Sequence, residues 1–109
     1  MSAAFAAVTY RPGAAADPGT LELLTRVERA TLGPYRAAER AAAILAAKRA
    51  VQRLLPGTAL DEIEVLRRQH SAPRLRVRGI AVPLAVSLSH GDGLAVAAVL
   101  GAGVPPCAR

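Results

Sequence analysis

The sequence predicts an α+β domain in which a long central helix and a shorter helix pack on one side of a mostly antiparallel sheet. The stretch from Pro34 to Leu55 has no internal glycine or proline and is rich in good helix formers, so it predicts the central helix. After this stretch the hydrophobic period changes from 3.6 to 2, which is typical of strands. Alanine at many helix positions lets a sheet approach the helix closely, and we therefore expect the helix to lie on the sheet.

The N-terminal third predicts one strand followed by one short helix. The apolar run Ala4 to Tyr10 contains β-branched and aromatic residues and is closed by Arg11-Pro12-Gly13, which favours a strand and a turn. The segment Asp17 to Thr20 offers the chemistry of a helix start. Apolar residues then recur at three-residue spacing, at Leu21, Leu24 and Val27. We expect a single helix that ends before Gly33.

Both ends of the central helix are marked by glycine and proline. Gly33 and Pro34 set its start, because proline is tolerated in a first turn, and Pro56 and Gly57 end it. Steps of three and four place on one side Arg36, Arg40, Ala43, Ala47, Ala50, Val51 and Leu54, with Ile44 and Leu55 at the edge. Since two arginines lie on this predicted core side, their stems either cover apolar surface at the domain edge or await an anion.

Period-2 alternation predicts the strands that follow. Ile63 and Val65 alternate with acids, and residues 74–78 alternate with arginines, which indicates two strands joined by the loop 69–73. The run Val82 to Leu88 places its larger residues on one face, predicted to meet the helix, although Pro83 favours an edge or a strand start. A turn at residues 90–93 leads to Leu94 to Leu100, which should return antiparallel.

Composition limits the classes of partner. We expect one domain, residues 1–109, with a flexible tail at 101–109. Thirteen arginines and one lysine against eight acids give a net charge of +6, which favours acidic or phosphorylated partners. Aromatic residues make up only 3% of the chain, which argues against nucleic-acid binding by base stacking. A single cysteine, Cys107, excludes an internal disulfide, and no stretch has the pattern of a signal peptide or membrane span, so we expect a cytoplasmic protein.

The two histidines are the first candidates for chemistry. His70 falls in a predicted loop, where a solvated or structural role is the simplest interpretation. His90 follows Ser89 at a predicted strand end, before a glycine-bracketed turn whose backbone N–H groups can hold phosphate. A structural role stays open for His90 as well. Neighbouring strand residues point to opposite faces, which excludes a Ser-His triad at this position.

Other charged residues give weaker signals. The acids Asp61, Glu62 and Glu64 lack a third ligand on their face and a glycine-rich loop, so they predict a solvated edge rather than a metal site. The most concentrated positive region consists of Arg67, Arg68, Arg74, Arg76 and Arg78. Alternation places the last three on one strand face, a basic stripe that suits a phosphate backbone or an acidic protein but is most often a solvated face.

Three segments together resemble the phosphopantetheinyl transferase superfamily: ERAAAILAAKRAVQRLL, LDEIEVLRRQHSAPRL and VSLSHGDGLAVAAV. The resemblance covers about residues 34–100 and fits the N-terminal lobe of the two-lobe Sfp-type enzymes, or a single-lobe holo-acyl-carrier-protein synthase. In that superfamily an arginine opens the long helix and a Ser-His pair ends a strand, which Arg40 and Ser89-His90 match. By resemblance, these three residues would contact the phosphates of coenzyme A, and Arg36 joins them as a candidate on the same helix side.

The magnesium site expected for that superfamily is not matched. The element Gly-(Lys/Arg)-Pro reads Ser71-Ala72-Pro73, which removes one expected phosphate contact. The acids that follow the last strand in two-lobe enzymes are missing from residues 101–107. On the single-lobe alignment the metal-binding glutamate is Arg49, the final lysine is Arg53, and the first strand lacks its aspartate. The resemblance thus implies coenzyme A as a substrate, with no magnesium ligands identified.

The resemblance implies transfer of the 4′-phosphopantetheine arm of coenzyme A to a serine of an acyl or peptidyl carrier protein. Without metal ligands we expect the chain to be incomplete or inactive alone, and to need a second lobe, another polypeptide or a homo-oligomer. A non-catalytic module that binds coenzyme A or a carrier protein is the first alternative. A small basic nucleic-acid-binding domain or a dimerisation domain is the other.

Overall fold

The computed structural model describes residues 2–66 and 73–101. Helices and strands occur in the order of an α+β domain, as the sequence predicts. They are β1 (Ala3–Thr9), α1 (Pro18–Glu22), α2 (Arg26–Ala30), α3 (Ala37–Leu54), a 3₁₀ turn (Leu60–Glu62), β2 (Ile63–Leu66), β3 (Arg74–Val77), β4 (Ile80–Val82), β5 (Ala85–Gly91) and β6 (Leu94–Leu100). These strands form two sheets. The long helix α3 contacts strands of both.

The strands build two antiparallel sheets of three strands each, rather than one sheet. In the first sheet β6 lies between β1 and β5, and in the second β3 lies between β2 and β4. The register places Ala98 of β6 between Phe5 and Ser87. Alternate residues of β1 and β6 are buried: Ala4, Ala6, Val8, Ala95, Ala97 and Val99. The prediction that the last strand returns antiparallel to the preceding one is confirmed.

The central helix is buried around most of its circumference, and not only on the predicted side. Every residue from 41 to 48 is buried, because the first sheet covers one side while α1, β2 and the 3₁₀ turn contact others. Small alanine side chains let these elements come close. Arg36 and Arg40 are exposed at the start of the helix, so the predicted core side is correct only from Ala43 onward.

The single helix predicted for residues 17–32 is two helices of five residues. Asp17 caps α1 as expected, because its carboxylate accepts from the N–H of Thr20 at 3.0 Å. A second start follows at Thr25, whose hydroxyl accepts from the N–H of Glu28 at 3.2 Å. The Glu28 carboxylate in turn accepts from the N–H of Thr25 at 2.8 Å, which completes a capping box and begins α2.

An ion pair in the interior joins α2 to α3. Lys48 Nζ lies 2.7 Å from Glu28 Oε1, and neither side chain has exposed surface. The same ammonium donates to the carbonyl of Leu23 at 2.8 Å, and Glu28 Oε2 accepts from the N–H of Val65 at 2.8 Å. The pair therefore links α2, α3 and β2. Buried charges are stable only when they are paired and hydrogen-bonded, as both are here.

The predicted strand from Val82 to Leu88 is two strands that belong to different sheets. Pro83 has no N–H to donate to a ladder, so β4 ends at Val82 and β5 begins two residues after the proline, at Ala85. The larger residues of this run, predicted to meet the helix, pack against the hydrophobic core, and β5 contacts α3. They are Val82, Leu84, Val86 and Leu88.

A two-residue turn that the sequence analysis missed joins β3 to β4. Arg78 and Gly79 both have positive φ, 54° and 79°, which is the conformation of a tight hairpin. Because Arg78 lies in this turn, it does not belong to the predicted basic stripe. It pairs with Glu62 instead, with Nε 2.8 Å from Oε2. The predicted stripe keeps Arg74 and Arg76 as exposed members of β3.

Gly101 belongs to the fold rather than to the predicted tail. It is buried, and its N–H donates to the carbonyl of Ser2 at 2.8 Å, which extends the ladder between β1 and β6. The rest of the predicted tail, residues 102–109, and the loop that contains His70 lie outside the described residues. Among the helices that are described, none combines the length and the apolar character needed to cross a membrane.

Candidate functional site

A cavity of about 680 Å³ lies where α3 begins, beside one end of the first sheet. Three segments line it: the end of β1 with the following turn, the approach to α3, and the hairpin end of β5. Its volume is within the range of roughly 300–1,000 Å³ that is usual for small-molecule sites. Its side chains come from parts of the chain far apart in sequence, so only the tertiary fold assembles it.

The hairpin between β5 and β6 holds one wall of the cavity in place. Asp92 and Gly93 form its two-residue turn, with φ of 52° and 84°. The Gly93 carbonyl accepts from the N–H of Tyr10 at 2.8 Å, which ties the end of β1 to this turn. A Cβ at residue 93 would lie 2.9 Å from the carbonyl oxygen of Tyr10, so a larger residue would force the two segments apart.

Arg36 stands at the entrance to α3 in a left-handed conformation, with φ of 56°. This residue makes no side-chain cap to the helix. Its guanidinium instead reaches forward one turn to Glu39, with Nε 3.2 Å from Oε2. The guanidinium carbon also lies 5.6 Å from the ring centre of Tyr35, which is within the reach of a cation–π interaction.

Glu39 is the point at which the polar side chains of the cavity meet. The Tyr10 hydroxyl donates to Glu39 Oε1 at 3.2 Å, and His90 Nδ1 contacts the same oxygen. Arg36 contacts the other carboxylate oxygen. The Glu39 side chain is only 14% exposed. Three donors from three different elements therefore converge on one carboxylate.

The surroundings of Tyr10 keep its hydroxyl protonated. Desolvation raises the pKa of Tyr10 above its ordinary value of 10.0, and the hydrogen bond to Glu39 and the charges of Glu39 and Asp92 act in the same direction. A backbone hydrogen bond with Gly93 acts against them. Tyr10 is accordingly a hydrogen-bond donor at neutral pH.

Two of the four predicted phosphate contacts, Arg36 and His90, line this cavity. The other two are not among the residues that line it. Arg40 is exposed, and its guanidinium donates to the carbonyl of Leu32 at 3.0 Å. Ser89 is exposed on β5, opposite Val96 of β6. Their contact with coenzyme A stays a prediction.

Sequence reasoning missed Glu39 and Tyr10. Glu39 follows Arg36 by three residues, and this spacing on a helix is a signal for an ion pair. No local pattern joins either residue to His90, because 51 positions separate Glu39 from His90 in the chain and the contact exists only in the fold.

Arg49, which the resemblance places at the position of a metal-binding glutamate, does not fit a magnesium ion. Arg49 and Arg53 are exposed near the end of α3, where they line a second, shallower cavity of about 380 Å³. The Arg53 guanidinium donates to the carbonyl of Phe5 at 2.7 Å. Cationic side chains cannot ligate a divalent cation. Within residues 2–66 and 73–101, no three side chains of His, Cys, Asp or Glu come together as a metal site.

No family model and no curated protein matches the sequence. Solved structures match the fold. The ACPS-CoA complex of Chronobacterium ammoniagenes superposes with a TM-score of 0.65 at 21% identity, over 90% of this chain and 93% of that one. The apo-ACPS structure from the same organism gives 0.62 at 21% identity, over 90% and 92%.

A third solved structure is the Helicobacter pylori holo-[acyl-carrier-protein] synthase in complex with coenzyme A, with a TM-score of 0.59 at 15% identity, over 91% of this chain and 98% of that one. The described residues thus share the fold of holo-acyl-carrier-protein synthases. The α+β architecture predicted from the sequence is confirmed.

Proposed function

We propose that this chain is a phosphopantetheinyl-transferase-like lobe that binds coenzyme A and acts with an acyl or peptidyl carrier protein in the cytoplasm. The observation that carries the proposal is the position of His90. It lies at the strand end that the resemblance assigns to coenzyme A phosphate, and it lines the 680 Å³ cavity together with Arg36. The fold shared with two synthases in complex with coenzyme A supports the same ligand.

The side chains of the cavity can bind a phosphate group, provided that the phosphate displaces a contact that these side chains make with one another. Arginine and histidine form charge-assisted hydrogen bonds with phosphate oxygens, and the Tyr10 hydroxyl adds a neutral donor. These are the contacts of a binding site.

Transfer of the phosphopantetheine arm requires charge neutralisation at the diphosphate, which magnesium supplies in the superfamily that the chain resembles. Arg49, at the position of the metal-binding glutamate, does not fit that ion, so we propose that this lobe alone is incomplete. A second lobe, another polypeptide or a further copy of the chain would supply the missing half. The alternative, a non-catalytic module that binds coenzyme A or a carrier protein, is favoured by the same arginine.

Calorimetric titration with coenzyme A tests the binding proposal. We expect saturable binding to the purified chain. Mass spectrometry of an apo-carrier protein incubated with coenzyme A and magnesium tests the second part, and we expect no phosphopantetheine to be added by this chain alone. Added phosphopantetheine would show that the lobe is complete. A lack of any coenzyme A binding would leave an α+β lobe whose ligand is of another class.

DNA titration at increasing salt distinguishes the basic nucleic-acid module. Exposed Arg74 and Arg76 on β3 would then contact phosphates, and the affinity would fall steeply with salt, by a log-log slope of about 0.9 for each phosphate contact. We expect a shallow dependence.

A further inference from the structure

The carboxylate of Glu39 occupies the point on which the donors of the cavity converge. Tyr10 OH lies 3.2 Å from Oε1, Arg36 Nε lies 3.2 Å from Oε2, and His90 Nδ1 contacts Oε1. Donors from the end of β1, the start of α3 and the end of β5 are therefore all used by one acceptor of the chain itself.

A phosphate group and a carboxylate compete for donors of this kind. Both are anionic oxygen acceptors, and both form charge-assisted hydrogen bonds with guanidinium and imidazolium groups. The Glu39 side chain is 14% exposed and the Arg36 side chain 58% exposed, so the carboxylate lies inside and the guanidinium outside. A ligand that enters the cavity meets Arg36 first and Glu39 behind it.

The charges around the cavity also oppose an anion as long as Glu39 stays in place. The ionisable groups that line it are Tyr10, Arg36, Glu39, His90 and Asp92. With His90 neutral, the two carboxylates outnumber the one guanidinium, and with His90 charged they balance. A phosphate that arrives beside Glu39 therefore finds no excess of positive charge.

We propose that Glu39 is a built-in competitor for the anion of this cavity. A ligand that carries phosphate or diphosphate binds by displacing the Glu39 carboxylate from Arg36 and His90, and Glu39 thereby holds the affinity down. For coenzyme A as the ligand, this inference rests on the proposed function. For inorganic pyrophosphate, it stands on the cavity alone.

Titration of the wild-type chain and of Glu39→Gln with coenzyme A and with inorganic pyrophosphate tests the proposal. Glutamine keeps the size of the side chain and an acceptor for Tyr10, but removes the charge. We expect Glu39→Gln to bind both probes about tenfold more tightly, the size of one charge contact near the surface. Glu39→Ala should show the same direction, and thermal unfolding of each variant checks that it is folded.

Glu22→Gln is the matched control. It makes the same change of net charge at an exposed residue of α1, and Glu22 does not line the cavity, so it should leave both affinities unchanged. A gain of equal size in Glu22→Gln would assign the effect to net charge and overturn the proposal. The gain in Glu39→Gln should shrink when Arg36→Ala is added, because the released donor is then missing.

The two probes separate the possible failures. If coenzyme A binds the wild type, and Glu39→Gln and Glu39→Ala bind it no better, the competitor proposal is wrong and the proposed function stands. If only pyrophosphate binds, and binds better when Glu39 is replaced, the proposal stands and coenzyme A is the wrong ligand. If neither probe binds any variant, both are wrong.

Discussion

The ammonium of Lys48 and the carboxylate of Glu28 meet at 2.7 Å in an interior where neither side chain has exposed surface. Each partner has further contacts: Glu28 accepts from the N–H groups of Thr25 and Val65, and Lys48 donates to the carbonyl of Leu23. Among the described side chains, no buried nitrogen or oxygen atom is left without a hydrogen bond. Both charged groups of the pair are therefore hydrogen-bonded, and removal of one partner leaves a charge in the core.

Lys48→Met should destabilise the chain by about 3–5 kcal/mol, the usual cost of leaving one charge of a buried pair alone. Chemical denaturation measures the free energy of unfolding. Arg49→Met is the control, because it removes a cation from the next residue, which is exposed, and should change stability by about 0.5 kcal/mol or less. If both substitutions lowered the free energy of unfolding equally, the pair of Lys48 and Glu28 would not be what stabilises the chain.

His90→Ala should weaken coenzyme A binding by about 1.5–3 kcal/mol, the range for a hydrogen bond to a charged group. Calorimetry measures the affinity of both proteins.

His70→Ala removes the only other histidine of the sequence and should leave the affinity for coenzyme A unchanged. A purely structural His90 would give a different pattern. The substitution would lower the melting temperature, while the affinity for coenzyme A, measured where both proteins are folded, stayed the same.

Coenzyme A binding should show little dependence on magnesium. The reason is that the cationic Arg49 stands at the position where the resemblance places a metal-binding glutamate. Titrations in the presence of magnesium and in the presence of a chelator should give the same affinity. A requirement for magnesium in the isolated chain would show that the metal site lies elsewhere.

The pair of Glu62 and Arg78 should contribute to stability at neutral pH and lose that contribution in acid. The N–H of Ala59 and then the guanidinium of Arg78 lower the pKa of Glu62 below its ordinary value of 4.5. The contribution is therefore fully present above the unfolded value and is lost as pH falls through the lowered, folded value. Thermal unfolding followed by circular dichroism should show a shallower fall of the melting temperature below pH 4.5 in Glu62→Gln than in the wild type.

Glu22→Gln serves again as the control, since Glu22 is an exposed glutamate of α1. It should leave the acid dependence as it is in the wild type. A fall of the melting temperature that is equally steep in Glu62→Gln would mean that the pair does not act on folding.

Elements with local signals were predictable from the sequence. The apolar alternation of β1 and the proline and glycine that bound α3 are such signals, and the structure has both elements within three residues of the predicted bounds. The sequence also contains a local signal for the break between α1 and α2, because Thr25 and Glu28 have the spacing of a capping box. The apolar spacing of Leu21, Leu24 and Val27 outweighed it and suggested one continuous helix.

Features that depend on distant partners were not predictable in this way. Lys48 looks like an exposed residue of an alanine-rich helix until α2 brings Glu28 beside it. The cavity shows the same limit. Arg36 and His90 were predicted from their chemistry and from a family resemblance, whereas Glu39 became a candidate only when the fold joined α3 to the end of β5.

The pairing of β1 with β6 sets an order of events during synthesis. Ala3 pairs with Leu100 and Thr9 with Leu94, so β1 waits for a strand that is translated about ninety residues later. Contacts of such long sequence separation form late. Until β6 emerges, the alanine-rich face of α3 lacks the central strand of its covering sheet. The nascent chain therefore carries an uncovered apolar surface between the synthesis of α3 and that of β6, which is the kind of surface that chaperones protect from aggregation.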